Sequence, residues 1–284
     1  SRGTTITPQD LDDEDFSLTI DKANYFAFKV DDIEEAHSHV NFQSLASDRA
    51  AYRLGDQFDQ DVLGYLTGFK QSATHGSPDT VNTTTNGSVA VSTAGTDELL
   101  SSMKIDAAAF GGSAGASLAL QPRTGGATDS TPAAGDTFPL TVIARMSRLL
   151  DQQNVDTQGR WLVVDPVFME LLKDEDSRLF NADFGGSGLQ NGQVGTNIHG
   201  FRVYTSNNLP TVGTGPSFTG TNSTTNYGMI VAGHDSAVAT AEQINKTETY
   251  RDPDSFSDIV RGMHLYGRKI LRPEALVNAK YHLA

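Results

Sequence analysis

The stretch covering residues 31–69 constrains the fold most, because an apolar stripe runs along it and no proline interrupts it. The stripe consists of Ile33, Ala36, Val40, Ser44, Ser47, Ala51, Leu54, Phe58, Val62, Tyr65 and Phe69, spaced three or four residues apart. This is the spacing of one face of an α-helix. Asp31 and Asp32, each followed three residues later by Glu, are typical of a helix start.

A straight helix of this length does not fit inside a compact globule. It would be about 58 Å long, whereas a sphere formed by 284 residues would be about 49 Å across. The sequence therefore predicts either a flattened subunit with this helix as its backbone, or a helix that Gly55 or Gly64 bends or breaks. We expect the flattened subunit.

The composition permits a substantial core and argues against some classes of ligand. Of the 284 residues 37% are hydrophobic, enough for one large domain or two smaller ones. Cysteine is absent, which excludes disulfide bonds and thiolate metal sites. The net charge of −14 argues against general binding to nucleic-acid phosphates, which needs clustered Lys and Arg. No run reaches the roughly 18 apolar residues of a membrane span, so we expect no membrane partner.

The charge is unevenly distributed along the chain. Residues 1–39 contain ten acidic and three basic side chains, whereas residues 246–280 contain seven basic and five acidic ones. Opposite charges at the two ends would suit a head-to-tail contact between identical subunits. The alternative is two ordinary solvated faces.

Residues 16–30 show the period of β-strands. Apolar and polar residues alternate over residues 16–20 and again over 26–30, on either side of a segment, 21–24, that we interpret as a turn. An acidic hairpin with aromatic faces and little sequence to cover them is typical of a projecting arm that contacts a partner. The acidic cluster 12–15 lacks the ligand spacing of a calcium loop, so we expect no metal there.

The rest of the chain alternates between polar loops and short regular elements. Residues 71–97, 111–136 and 211–227 are rich in small polar residues, and 181–200 are rich in glycine. We predict helices over 97–110, 139–153 and 166–172, and strands over 161–164, 201–204, 229–232, 237–244 and 260–271, with a bulge at Gly267. A strand that leads directly into a capped helix at Asp165 indicates an α/β portion.

No pattern in the sequence predicts catalysis or a cofactor. The seven histidines lack zinc-ligand spacing. His234, Asp235 and Ser236 are the residue types of a catalytic triad, but sequence neighbours seldom converge in one, and a turn is the better interpretation. A hydrolase that uses acidic residues and His234 remains an alternative from a different class.

Several segments, taken in order, resemble the major capsid proteins of tailed bacteriophages with the Hong Kong 97 fold. They are residues 18–32 (LTIDKANYFAFKVDD), 159–166 (GRWLVVDP), 191–195 (NGQVG), 200–204 (GFRVY), 207–210 (NNLP), 260–267 (VRGMHLYG) and 272–276 (RPEAL). No single segment is diagnostic, and the resemblance rests on their order and spacing. It covers most of the chain apart from residues 72–136 and 211–226.

The resemblance implies an α+β fold with a long spine helix, an extended β-hairpin arm, a peripheral domain and an axial α/β domain. The arm would lie within residues 1–30, the spine helix at 31–71, polar loops with a short helix at 72–137, the axial domain at 138–245 and the return strands of the peripheral domain at 246–284. Such proteins usually carry an N-terminal arm before the stretch that opens here, so we expect Ser1 to lie inside a longer gene product. The resemblance also implies cross-links between subunits through a Lys and an Asn, for which Lys22 and Lys29 are the candidate lysines.

The resemblance also implies a structural role without catalysis. Copies of the chain, as pentamers and hexamers, would form an icosahedral shell in the host cytoplasm around double-stranded DNA, bound without sequence specificity. Portal, scaffolding or decoration proteins would be further partners. An encapsulin-type compartment with protein cargo is the alternative on the same fold. The candidates for intersubunit contact are Asp12, Asp13, Glu14, Asp15, Phe16, Tyr25, Phe26, Phe28, Lys29, Arg49, Arg53, Arg251 and Arg261.

Overall fold

The computed structural model describes residues 17–31, 42–67, 99–121, 135–173, 197–212 and 227–283, which form an α+β fold. The helices are α1 (Phe42–Thr67), α2 (Pro139–Gln152) and α3 (Pro166–Leu172). The strands are β1 (Lys22–Asp31), β2 (Lys104–Ile105), β3 (Leu118–Leu120), β4 (Asp136–Thr137), β5 (Arg160–Val164), β6 (Asn197–Ile198), β7 (Phe201–Thr205), β8 (Thr211–Val212), β9 (Tyr227–His234), β10 (Val238–Arg251), β11 (Ser257–Ile270) and β12 (Leu276–Leu283).

Within the described residues, the larger of two sheets has nine strands and contains most of the core. Its order is β4-β3-β12-β9-β5-β7-β6, with β2 added beside β12 and β8 beside β9. The central strands β9 and β12 run antiparallel to each other, and nearly every residue in both is buried. Strands that are buried on both faces read as continuous apolar runs rather than as alternating ones. This explains why β9 shows no period of two in the sequence.

Helices α2 and α3 belong to the same core as this sheet. The apolar side chains of α2 recur at helical spacing and are buried at Val142, Ile143, Met146 and Leu150. The helix begins at Pro139, whose missing N–H costs nothing in a first turn. Helix α3 begins after Asp165, whose carboxylate accepts a hydrogen bond of 3.0 Å from the backbone N–H of Phe168. Both helices, and the strand β5 between them, confirm the sequence predictions for this portion.

The smaller sheet has three antiparallel strands in the order β1-β11-β10. β10 and β11 form a hairpin of two 14-residue strands, joined through residues 252–256. β1 pairs with β11 over its full length, from Lys22 opposite Tyr266 to Asp31 opposite Ser257. Residues of β1 alternate between half-buried and exposed. One face of this sheet is therefore covered and the other is open.

Helix α1 joins the two sheets through its C-terminal part. Gly64, Leu66 and Thr67 are buried, and the Thr67 carbonyl accepts a hydrogen bond of 3.2 Å from the amide of Asn278 on β12. Toward the smaller sheet, the Asp61 carboxylate accepts from Arg268 at 2.8 Å and from the Tyr266 hydroxyl at 3.1 Å.

The same Arg268 guanidinium lies over the Tyr65 ring, 4.4 Å from its centroid. Helix α1 therefore contacts the smaller sheet through the ion pair of Asp61 with Arg268, the hydrogen bond from the Tyr266 hydroxyl and the stacking of Arg268 on the Tyr65 ring.

The prediction of a hairpin turn at residues 21–24 is wrong. Residues 22–24 are the first residues of β1, and residues 17–21 are not a strand. The partner of β1 is β11, more than 200 residues away, and no local sequence pattern specifies such a long-range pairing. The segment 17–20 instead crosses β11 at Gly267, where a Cβ would lie 2.4 Å from the Thr19 carbonyl oxygen.

The predicted boundaries of the long helix are also corrected. Asp31 ends β1 opposite Ser257 and does not cap a helix, and residues 32–41, with the other proposed capping residues, lie outside the described part. From Phe42 the helix continues to Thr67 through both Gly55 and Gly64 without a break. Neither glycine ends it, since packing of its C-terminal part outweighs the low helix propensity of glycine.

Two further local predictions are wrong. Residues 99–110 form no α-helix: two short 3₁₀ turns, Ser101–Met103 and Ala107–Phe110, lie on either side of β2. Asp106 starts the second turn, because it accepts hydrogen bonds from the N–H groups of Ala108 and Gly115. The irregularity in the β10–β11 hairpin lies between Glu242 and Ile244, not at Gly267. The predicted domain boundaries remain predictions. The boundary at 245/246 falls within β10, and β12 belongs to the larger sheet.

Candidate intersubunit surface

The open face of the smaller sheet is built by the register of its three strands. Residues that pair across the sheet alternate between the two faces. The side chains on the open face, which we call the outer face, are Tyr25, Ala27 and Lys29 on β1, Ile259, Arg261 and Met263 on β11, and Lys246, Glu248 and Tyr250 on β10. The opposite face, which packs toward α1, is the inner face.

An apolar strip crosses the outer face beside a group of charges. Tyr25 is 81% exposed and Met263, directly opposite it, is 40% exposed. Together with Ala27 they line a shallow groove of about 390 Å³, and Lys246, Glu248 and Arg261 form its other side. Exposed apolar side chains bordered by charges are typical of protein–protein contact surfaces. Of the predicted contact residues, Tyr25, Phe26 and Arg261 line this groove.

The charged side chains of the outer face pair within the chain. Arg261 donates to Glu248 at 2.9 Å, and Lys246 also contacts Glu248. Hydrogen bonds from Lys246 and Arg261 hold the pKa of the Glu248 carboxyl below its usual value. Arg261 also lies over the Tyr250 ring, 5.1 Å from its centroid. Such exposed pairs add little to stability, but they hold the side chains in one geometry.

The other two basic candidates of this sheet flank the turn of the hairpin. Lys29 donates to Asp252 at 2.7 Å, and Arg251 pairs with Asp258 at 3.2 Å. The Lys29 ammonium, with Ser255 and the Asp254 N–H, holds the pKa of Asp252 well below its usual range. Contacts of Lys29 or Arg251 with acidic residues of another subunit would therefore compete with these partners.

Phe26 and Phe28, predicted as contact residues, lie on the inner face. Their rings stack with centroids 6.0 Å apart. Phe26 covers Gly262 on the neighbouring strand, where an added Cβ would lie 2.3 Å from the ring. Between this face and the N-terminal half of α1 an open groove of about 720 Å³ remains. Phe26, Ala51, Leu54, Gly55 and Phe58 form its apolar lining, and we call it the helix groove.

Arg49 and Arg53, the candidates on α1, are exposed and lie one helical turn apart. Arg53 pairs with Asp56 at 3.2 Å. Asp56 also accepts a hydrogen bond of 2.8 Å from Asn208, and so connects the helix to the larger sheet. Arg49 has no ion-pair partner among the residues that the structure describes. The remaining candidates, Asp12, Asp13, Glu14, Asp15 and Phe16, lie outside the described residues.

Among the described residues, the contact candidates omit Met263 and four exposed aromatic residues, one of which is Tyr204 on β7, 52% exposed. Phe256, in the turn of the hairpin, is 80% exposed, Tyr52 on α1 is 72% exposed, and Tyr250 is on the outer face. Met263 lies in a segment that the sequence predicts as a strand, but its place on the outer face depends on the pairing with β1. Phe256 follows the sequence Pro-Asp-Ser, which predicts a turn but does not predict that the next residue is an exposed aromatic.

His234, Asp235 and Ser236, the residue types of a catalytic triad, form a local turn. His234 Nδ1 accepts a hydrogen bond of 3.1 Å from the backbone N–H of Ser236 and lies 2.8 Å from its hydroxyl oxygen. His234 thus caps a 3₁₀ turn, in agreement with the prediction of a turn. Within the described ranges, no group of three or more His, Cys, Asp or Glu residues could hold a metal ion. No helix in those ranges is long and apolar enough to cross a membrane.

Comparisons with known proteins identify similar chains. A family model described as phage capsid protein matches residues 13–279. No curated protein matches the chain. Among solved structures, one from Mycobacterium phage Che8 is 25% identical, with a TM-score of 0.60 over 92% of this chain and 71% of that one. The capsid of Cyanophage P-SCSP1u is 18% identical, with a TM-score of 0.62 over 100% and 79% of the two chains.

The mature capsid of bacteriophage PhiM1 is 19% identical, with a TM-score of 0.58 over 98% of this chain and 79% of that one. At these identities the likeness to the cyanophage and PhiM1 chains concerns the fold.

Proposed function

Because the chain belongs to the phage capsid protein family, we propose that it forms an icosahedral shell that encloses double-stranded DNA. It is a structural major capsid protein, and copies of it associate into the shell of the virion. The fold is that of the tailed-phage major capsid proteins of the Hong Kong 97 type. Pentamers and hexamers of the chain would form the shell, and assembly would take place in the host cytoplasm. The chain would have no catalytic role.

The observation that carries this proposal is that one face of the smaller sheet is covered by α1 and the other face is exposed. β1, β10 and β11 expose Tyr25, Met263 and the Arg261–Glu248 pair on a face that no described element covers. Repeated burial of such a face against neighbouring copies stabilises a shell even where each single contact is weak. The outer face, with Arg49 and Arg53 on α1, is therefore our proposed contact surface.

The acidic segment 12–16 would contact a neighbouring subunit rather than its own. Its carboxylates would compete with Asp252, Glu248 and Asp258 for the basic residues of the hairpin. Arg49 is the simplest partner for such an acid, because no described residue pairs with it. Portal, scaffolding or decoration proteins would act as further partners in forming the shell.

The net charge of −14 would suit a shell whose inner wall does not hold DNA tightly. Packed DNA must be released, and a wall rich in Lys and Arg would bind its phosphates. A particle whose inner wall is strongly basic would contradict this part of the proposal.

The test is the mass and content of particles formed by the purified protein. Light scattering and electron micrographs of one sample should give closed shells of megadalton mass, and extraction should give double-stranded DNA when the shells come from infected cells. Shells that contain only protein cargo would favour the compartment alternative. A chain that stays monomeric under all assembly conditions would contradict the proposal.

A further inference from the structure

The shallow groove on the outer face carries more positive than negative charge. Its charged lining residues are Lys246, Glu248 and Arg261, two cations against one carboxylate. Both cations contact that carboxylate, and Arg261 donates to it through two nitrogens, Nε at 3.2 Å and Nη2 at 2.9 Å. Because Arg261 already has a full partner in Glu248, Lys246 is the cation that a second carboxylate would pair with.

The apolar part of the groove lies beside Lys246. Lys246 is opposite Met263 on β11, and Met263 is opposite Tyr25 on β1, so the three side chains form one row across the sheet. Since neighbouring strands lie about 4.8 Å apart, the row is about 10 Å long. An aromatic ring can pack against both Tyr25 and the Met263 sulfur. A matching partner therefore needs an aromatic ring and a carboxylate within about 10 Å of each other.

The exposed aromatic residues of the chain differ in the charges around them. Outside the outer face, the described ranges expose three such side chains, which are Tyr52, Tyr204 and Phe256. Tyr52 has charges of both signs, Asp48 and Arg49, within one turn of its helix. Tyr204 shares its face of β7 with the exposed Arg202, which the excess positive charge of the groove would repel. Phe256 is the ring with an acidic neighbour alone.

Phe256 and its acidic neighbour stand on an ordered turn between β10 and β11. Phe256 is 80% exposed. The Asp252 carboxylate holds the turn, because it accepts from Lys29 Nζ at 2.7 Å, from Ser255 Oγ at 2.6 Å and from the Asp254 N–H at 3.1 Å. The exposed Asp254 carboxylate has no ion-pair partner within the described ranges. Two residues span at most about 7 Å, so ring and carboxylate fit the row of the groove.

Phe256 cannot reach the groove of its own chain. Asp31 at the end of β1 lies opposite Ser257, whereas Tyr25 lies opposite Met263, six residues farther along both strands. The turn and the groove are therefore about 20 Å apart. Closing that distance would break the ladder between β1 and β11, so the ring that fills the groove must come from another molecule.

We propose that Phe256 of one subunit packs against Tyr25 and Met263 of a second copy of this chain, with Asp254 placed against Lys246. The contact joins two different surfaces of identical chains, so it is a head-to-tail contact that can close into rings. The inference rests on the proposed function and deepens it, because it identifies which part of a neighbour covers the outer face.

The first test compares two exposed aromatic residues. Phe256→Ala should raise the protein concentration needed for particle formation by roughly 30-fold, as for a hot-spot residue. Tyr204→Ala removes an exposed ring from the larger sheet and should leave that concentration unchanged. Equal effects of the two variants, or wild-type assembly of Phe256→Ala, would overturn the inference.

The second test asks whether the ring and the groove act together. Tyr25→Ala removes one wall of the groove and should also raise the concentration needed for particle formation. If Phe256 packs on Tyr25, the chain with both substitutions should lose less than the product of the two separate effects. A combined effect equal to that product would show that the two side chains do not touch across the interface.

The third test exchanges the charges. Asp254→Lys should weaken assembly, because it brings a further cation to the groove, and Lys246→Glu in the same chain should restore it. Glu170→Lys, which changes an exposed acid on α3, is the control and should assemble normally. Assembly that stays weak in the exchanged chain would contradict the placement of Asp254 against Lys246.

The fourth test separates this inference from the proposed function. Phe256→p-benzoylphenylalanine, irradiated at high protein concentration, should give covalent dimers whose cross-links map to residues 25–27, 246–248 or 261–263 of the second copy. This holds for small oligomers as well as for shells. If closed shells form but cross-links map elsewhere, the inference fails and the proposed function stands. If cross-links map to the groove in a small oligomer that never closes, the proposed function fails instead.

Discussion

In the nine-stranded sheet, the central strands β9 and β12 are buried on both faces, whereas in the three-stranded sheet β1 alternates between half-buried and exposed residues along its whole length. The larger sheet, with α2 and α3, thus has a complete core within one chain. Among the described elements, only α1 covers the smaller sheet, on one face, and that helix leaves a groove at its N-terminal half. This difference agrees with the proposal that neighbouring subunits cover the smaller sheet.

The largest effect should come from a core residue of the larger sheet. Phe168 is fully buried and packs edge-to-face on Tyr281, with ring centroids 5.4 Å apart. Phe168→Ala should lower the free energy of unfolding by about 4 kcal/mol, since it leaves a cavity. In urea titrations the matched variant Tyr25→Ala, on the outer face, should change it by less than about 0.5 kcal/mol. Similar losses from both variants would remove the distinction between the two sheets.

A smaller loss in the free energy of unfolding is expected from Asp61, which joins α1 to the smaller sheet. Asp61→Asn weakens the ion pair with Arg268, and we expect a loss of about 2 kcal/mol, as for a hydrogen bond to a charged group. Asp59→Asn on the same helix is the control. Burial and the nearby Asp56 raise the pKa of Asp59, so its charge is unfavourable and its removal should be neutral or stabilising. Equal losses from both changes in urea unfolding would contradict the role assigned to Asp61.

The pH dependence tests the interior of the larger sheet. His282 is buried with its Nδ1 2.8 Å from Ser117 Oγ, and burial lowers its pKa from 6.5. The unfolded chain therefore takes up a proton first as the pH falls, so stability is full above about pH 6.5 and declines below it. Urea titrations between pH 7 and 5 should show this decline. His282→Gln should reduce the slope, whereas His199→Asn, in an exposed turn, should retain it.

The smallest effect on stability is expected from the ion pair on the outer face. Arg261→Ala removes the contact with Glu248, which is exposed to solvent and should contribute little to the free energy of unfolding. If this face is an intersubunit contact, the same variant should impair particle formation more than it impairs folding. A variant that loses stability but assembles normally would show that the pair serves the subunit alone.

The parts predicted well from sequence are those specified by neighbouring residues. The period of α2, the Asp165-Pro166 start of α3 and the apolar runs of β5 and β7 all depend on contacts within a few residues, and the structure confirms them. The helical period of the stripe likewise predicted α1, although its start is wrong because Asp31 belongs to a strand.

The parts predicted poorly depend on residues far apart in the chain. Because β1 pairs with β11, residues 22–24, which were predicted as part of a hairpin turn, form a strand. The same pairing places Phe26 and Phe28 on the inner face. Lys29 and Arg261 were chosen for their charge, but their partners Asp252 and Glu248 become neighbours only through the register of the sheet. The acidic segment that completes the predicted contact set stays a prediction.

The measurement that tests the account most directly is hydrogen exchange on assembled particles and on dissociated subunits of the same preparation. Central amides of β9 and β12 should be protected equally in both states, because one chain supplies their whole environment. Amides of β1, the β10–β11 turn and the N-terminal half of α1 should gain protection on assembly. Gains confined to the nine-stranded sheet, with no change in the smaller sheet, would contradict the assignment of the smaller sheet as the part that neighbours complete.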